Sequence, residues 1–333
     1  MIGAVVAKPG FSLTEARKAT LFSLLKQFET LVVSDDMDGK FFSDNLRRSR
    51  VKVVSVGGIN EKRYAYRFDE FVLKAGEHGV QVVVTVGGDG IASYMATAIL
   101  RQKDKVKVPM GILGFAAGTA NVGPIVLPKN VVPTLTKGHR LDSIEVTCGG
   151  KVLGYGFNDI IIGRTFLGTV DGRMVNLNAR AMAEEGRAVE EPDPDMIITG
   201  KDFSILLNGK KMTALPDVPV RQICISTMHQ ENLYGRTVLG GVTEACGFKH
   251  PAALALLDKV STDARPETWG AKDFRTTTHL CFDEKDSIRI SGIAEAACVV
   301  IDGNPFVLEK DTLDFRCVPE SVEVYGLGRR YGR

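Results

Sequence analysis

Residues 80–86, Val-Gln-Val-Val-Val-Thr-Val, run straight into Gly87-Gly88-Asp89-Gly90, and a helical pattern over Ile91–Arg101 follows at once. A strand, a glycine turn and a helix in direct succession form the building unit of a mainly parallel sheet. The flanking stretches repeat the alternation. Ile2–Ala7, Leu31–Ser34, Val51–Val56 and Met110–Phe115 read as strands, and Thr14–Gln27 as a helix. Arg63–Glu77 reads as a second helix, with Phe68, Phe71, Val72 and Ala75 on one face. Residues 1–125 are therefore expected to form an α/β nucleotide-binding domain with helices on both sides of the sheet. Ligands of such sheets bind beyond the carboxyl ends of the strands.

After residue 125 the texture changes. Strand-like segments follow one another at Ser143–Thr147, Lys151–Tyr155, Asp159–Ile162, Phe203–Leu207, Gln222–Ser226, Ser287–Ser291 and Ala297–Ile301. Helical patterns are few, and Pro251–Lys259 is the best of them. Residues 126–333 are expected to form a β-rich, sandwich-like substrate domain. Arg180–Lys201 carries six carboxylates. It reads as a solvated excursion, suited to a mobile flap or an intersubunit arm of a homodimer or higher homo-oligomer.

Charge narrows the partners. With 42 basic and 40 acidic side chains the formal charge is +2, so no global field gathers nucleic acid or an anionic membrane. No apolar run approaches the roughly 20 residues that span a bilayer. The six cysteines form no CxxC pair and sit mostly in apolar stretches, which suggests reduced thiols in a cytoplasmic protein. The five histidines are scattered, with no HxxxH pair to bind a metal.

An acid among glycines needs a reason. Gly87 and Gly88 let a ligand approach the main chain closely, and the amides opening the next helix favour an anion such as phosphate. A carboxylate there repels phosphate. Asp89 must instead hold a divalent cation that bridges to the phosphates, or take the proton of an attacking hydroxyl. Both are phosphoryl-transfer roles; a mere tight turn is the bland alternative. No Gly-Lys-Ser/Thr follows, so the element is not a Walker A loop, and the third glycine of GxGxxG is missing. A second glycine-rich turn, GILGFAAGTANVG at 111–123, offers Gly118, Thr119 and Asn121 for the same nucleotide.

At these residues the chain resembles the superfamily of NAD kinases and diacylglycerol-type and sphingosine-type lipid kinases. VVVTVGGDG is like its signature, and GFAAGTAN is similar to the lipid-kinase Gly-Thr-x-Asn pattern. YGFNDIII at 155–162 looks like the Asn-Glu/Asp stretch of NAD kinases, and VIDGNP at 300–305 like the IDG segment near their C-terminus. The layout also resembles the acetoin-catabolism branch of NAD-kinase-like proteins. The resemblance implies a nucleotide domain, a β-rich domain whose last strand returns to the first, and an active site in the cleft between them. It implies ATP and Mg²⁺, with Asp89 as the catalytic or metal-holding acid and Gly87, Gly88 and Gly90 along the phosphates. Thr119 and Asn121, with Gly118, would contact phosphate or sugar, and Asn158 and Asp159 adenine or ribose. Asp302 would be a second acid and a candidate base; an ordinary Asp-Gly β-turn is its other reading.

Three departures stand out. Ile91 replaces the usual Thr after GGDG, and Asn121 is followed by Val-Gly-Pro. The acceptor-side Gly-Ser/Thr-Thr-Ala-Tyr turn of NAD kinases has its nearest counterpart in GRTVLGGVT at 235–243. The leading expectation is ATP-dependent transfer to a hydroxyl, NAD first. A lipid kinase is the runner-up, and a nucleotide-binding regulator without turnover is the third reading, motivated by Ile91. Arg164 and Arg173 are candidates for anion contact or surface ion pairs. The basic tail Gly328–Arg333 reads as solvated.

Overall fold

In the computed structural model of the chain, described except for residues 9, 118–122, 172, 192, 213–218, 229–249, 266–275 and 327–333, the alternation closes into a parallel sheet. The elements are β1 (Ile2–Ala7), α1 (Glu15–Leu25), β2 (Thr30–Val33), α2 (Lys40–Leu46) and β3 (Lys52–Ser55). They continue with α3 (Tyr64–Glu77), β4 (Val82–Gly87), α4 (Asp89–Gln102), β5 (Gly111–Ala116) and the short β6 (Val126–Leu127). Strand order is β3-β2-β1-β4-β5, all parallel. The order reverses direction between β1 and β4, which makes the carboxyl ends of those two strands a topological switch point.

Sequence explains why these elements form. β4 is buried along its length because helices cover both faces. Thr14 starts α1 by accepting from the Arg17 amide at 3.4 Å. The α3 stripe of Phe68, Phe71, Val72 and Ala75 is buried as its spacing predicts. At Gly114 an added Cβ would lie 2.7 Å from the Val126 Cα, so only glycine lets β6 close against β5. Leu21, Leu24 and Leu25 of α1 and Phe42 of α2 pack with Val82, Val84 and Val86 in one core.

By contacts the chain forms two compact units, residues 1–141 with 320–333, and residues 142–319. The elements after β6 are β7 (Lys137–Cys148), β8 (Lys151–Gly156), β9 (Ile160–Gly163), β10 (Thr165–Val170), β11 (Arg173–Asn178), α5 (Ala179–Glu185), β12 (Thr199–Leu207) and β13 (Lys210–Lys211). There follow β14 (Gln222–Thr227), β15 (Ala252–Leu257), β16 (Thr277–Phe282), β17 (Ser287–Ile293), β18 (Cys298–Ile301), β19 (Asn304–Val307) and β20 (Leu313–Tyr325). One antiparallel sheet of the second unit runs β16-β15-β14-β9-β18-β19. Its Ile223, Ile225, Leu254 and Val299 share a core with Ile205 of β12 and Ile288 and Ile290 of β17, so two sheets pack face to face.

Three expectations change. Pro251–Lys259, expected as a helix, is the strand β15. It is buried throughout because β14 and β16 flank it in the sheet, and tertiary pairing overrides the helix propensity of its alanines and leucines. The 180–201 excursion is partly built in: α5 occupies its start, and Glu191 accepts from Arg164 at 2.8 Å. Arg164 is thus an ion-pair partner, and Arg173 approaches Glu190 at 3.8 Å. Finally, Cys148, Cys224, Cys298 and Cys317 are free and buried, but Cys281 is disulfide-bonded. Among the described residues no helix is long and apolar enough to cross a membrane.

Candidate active site

Gly88 caps α4 from an extended backbone and offers no side-chain cap, so Asp89 opens the helix. The first amides of an α-helix have no intrahelical acceptor, and here they face the carboxyl edge of the sheet at the switch point. The turn is held firmly. Lys8 N–H donates to the Val86 carbonyl at 2.9 Å, and Ala117 N–H donates to the Gly87 carbonyl at 2.7 Å. A Cβ at Gly87 would sit 2.6 Å from Ile91 Cγ2, so glycine at 87 makes room for the Ile91 side chain. Ile91 is 6% exposed: it is core, and it gives the turn no hydroxyl.

Asp89 is half-buried, and its carboxylate meets a second glycine. A Cβ built on Gly123 would lie 2.9 Å from Asp89 Oδ1 and 3.1 Å from Cγ. Sequence reading noticed Gly123 only as the end of a glycine-rich stretch; its use depends on a contact 34 residues away in the chain. Its φ is one that alanine accepts, so Gly123→Ala tests the space alone. The expected result is a turnover loss of about tenfold or more, because small misplacements of a reacting group are costly. Initial rates check this, with the melting temperature close to that of the wild type.

In the second unit the turn between β8 and β9 carries Asn158 and Asp159, and Asp302 builds it. Asp302 sits in the β18–β19 turn at φ 47° and is 7% exposed. Its Oδ2 accepts from Phe157 N–H at 2.9 Å; its Oδ1 accepts from Asn158 N–H at 2.8 Å and Asp159 N–H at 3.0 Å. Asp302 N–H donates back to the Asp159 carbonyl at 2.9 Å. From β14, Ser226 Oγ donates to the Asn158 carbonyl at 2.7 Å and Thr227 Oγ1 to that of Phe157 at 3.3 Å. Three residues from two separate segments, Ser226, Thr227 and Asp302, thus hold one short turn, and a turn so fixed suits a ligand-contacting segment.

Gly118, Thr119 and Asn121 lie outside the described residues, as do the 235–243 glycine turn and the basic tail. Among the described residues no group of three or more His, Cys, Asp or Glu could hold a metal ion. Asp89 is the acid at the Gly87–Gly90 turn. A single carboxylate is a donor set compatible with Mg²⁺, which is commonly held by one or two carboxylates plus substrate phosphates. Cysteine chemistry is disfavoured: burial pushes the Cys298 thiol up to about 11 and the Cys317 thiol up to about 12, so neither is a thiolate at neutral pH.

Residues 40–144 match the family model for the diacylglycerol kinase catalytic domain. An uncharacterized protein of Archaeoglobus fulgidus is 26% identical over 309 residues, covering 85% of this chain and 87% of the relative. Yeast NADH kinase complexed with NADH superposes with a TM-score of 0.50 at 13% identity, over 99% of this chain and 83% of that one. A Bacillus anthracis protein carrying a diacylglycerol kinase assignment superposes with a TM-score of 0.51 at 10% identity, over 98% and 97%.

Proposed function

We propose, for a chain with the fold of the NAD kinase and diacylglycerol kinase superfamily, that it transfers the γ-phosphoryl group of ATP to a hydroxyl. The observation that carries this reading is Asp89 at the mouth of a glycine turn, with Gly123 keeping open the space beside its carboxylate. The turn and the α4 amides grip the phosphates of the donor. The acceptor oxygen attacks the γ-phosphorus as its proton passes to Asp89, and the bond to the β–γ bridging oxygen breaks to release ADP. Mg²⁺, when bound, supplies charge neutralisation on the triphosphate.

NAD is the first-choice acceptor. The Asn158–Asp159 turn supports it: its backbone is held by Asp302 and Ser226, and its carboxamide and carboxylate are side chains suited to a nucleoside. Asp302 serves this reading as a positioning residue: its oxygens take three amides of the turn. A lipid hydroxyl is the second reading, favoured by the match of residues 40–144 to the diacylglycerol kinase catalytic domain.

The two separate in one experiment. Full-length protein with ATP and Mg²⁺ is offered NAD and, separately, diacylglycerol in mixed micelles, with product followed by radiolabel. NADP formation is expected. Product from diacylglycerol alone transfers the assignment to the lipid reading, and product from neither removes both.

A further inference from the structure

The switch point has cations as well as an acid. Lys8 follows β1 directly, and its backbone N–H is bonded to the Val86 carbonyl at the carboxyl end of β4. A Cβ on Gly87 would lie 3.3 Å from the Lys8 Cβ, so this side chain is rooted beside the phosphate turn, and it is exposed. Arg17 reaches the same edge from α1. Its Nη2 donates to the Ala116 carbonyl at 2.9 Å and its Nη1 to the Lys129 carbonyl at 2.8 Å. Ala116 is the register partner of Gly87. The guanidinium lies 4.1 Å over the Phe115 ring, and its Nε is buried with no hydrogen-bond partner among the described residues.

Neither cation is ion-paired among the described residues. A guanidinium taken partly out of water usually carries a carboxylate, because desolvated charge is costly alone. Two carbonyls and a ring face meet its Nη groups and leave its charge uncancelled. Burial accordingly pulls Arg17 below its ordinary value. The turn itself lacks a hydroxyl at 91, since Ile91 is packed inward. Two uncancelled cations beside an uncapped helix start, at the point where the strand order reverses, suit a multiply charged anion.

We infer that Lys8 and Arg17 form the cationic wall of the Gly87–Gly90 turn and bind a pyrophosphate-type group there. Lys8 contacts the anion; Arg17 supplies charge from behind the β5 end while stapling that end to α1. The identity of the anion as a nucleotide's phosphates rests on the kinase reading; its binding by these two residues does not.

Inorganic pyrophosphate binding to the full chain, measured by calorimetry at low and high salt, tests the wall. The wild type is expected to bind, with affinity falling as salt rises. Lys8→Met should weaken binding about tenfold or more, the range of one charge-assisted hydrogen bond, and Arg17→Met about threefold or more through the loss of a nearby charge. Arg17→Lys, which keeps the charge and loses the fork, should bind as the wild type does within about twofold. If Arg17→Met does not fold, Lys8→Met and the weaker salt dependence it should show carry the test. A wild type that binds no pyrophosphate, or variants that bind as the wild type does, would overturn the wall. A lower melting temperature in Arg17→Met at unchanged affinity would leave Arg17 only a staple and also overturn it. A protein that binds pyrophosphate through these residues yet phosphorylates no acceptor fails the kinase reading and keeps the wall; an active kinase indifferent to both substitutions does the reverse.

Discussion

Asp89→Asn is expected to lower phosphoryl transfer by about 10²–10⁴-fold, the range of a positioned general base. The substitution keeps the shape that Gly123 accommodates, since a carboxamide fills nearly the volume of a carboxylate. It also removes a negative charge from a turn that would hold phosphates. Nucleotide affinity should therefore stay level or tighten if Asp89 acts as the base. If Asp89 instead holds the cation, affinity for ATP should fall in the presence of Mg²⁺ and not in its absence. Single-turnover rates with parallel titrations of ATP, with and without Mg²⁺, read both effects. Turnover unchanged from the wild type would remove Asp89 from the chemistry and leave the glycine turn a structural feature.

Asp302→Ala is expected to destabilise the second unit strongly. It leaves three amides of a buried turn without their acceptor, and the loss of such a buried partner costs about 1–3 kcal/mol per group, not additively. A total of about 3–5 kcal/mol is the expected range for a buried network of this kind. Urea unfolding of the variant reads it directly. Asp302→Asn separates positioning from proton transfer. One oxygen can still serve Asn158 and Asp159, while the new NH₂ faces the Phe157 amide, so a smaller loss of stability is expected. Affinity for the nucleotide acceptor should fall with it, and the chemical step should change little. A wild-type-like stability with turnover lost would point back to a base.

The contrast between these two acids shows how far the sequence reaches. Both stand next to glycine, in GGDG and IDGN, and local pattern gives both the same two readings. Asp302 separates from Asp89 only through partners 143 to 145 residues away. Arg17 is invisible in the same way: its carbonyl partners lie 99 and 112 residues on. At Ala252–Leu257 local propensity points to the wrong element, because an apolar run of six fits a buried strand as well as a helix. Ile91 reads in the sequence only as a missing hydroxyl after GGDG, and the fold adds that it is buried against Gly87.

What the sequence determined by itself was the class of chain. Strand and helix periods, glycines at the strand ends and a near-neutral charge are local or additive properties, readable without neighbours. What the tertiary structure decided was which groups meet. Strand order put Lys8 beside Gly87, and the packing of distant turns put Gly123 against Asp89 and Asp302 under three amides. Electrostatics and hydrogen bonding act over a few ångströms of space, and position along the chain specifies such distances only after the chain has folded.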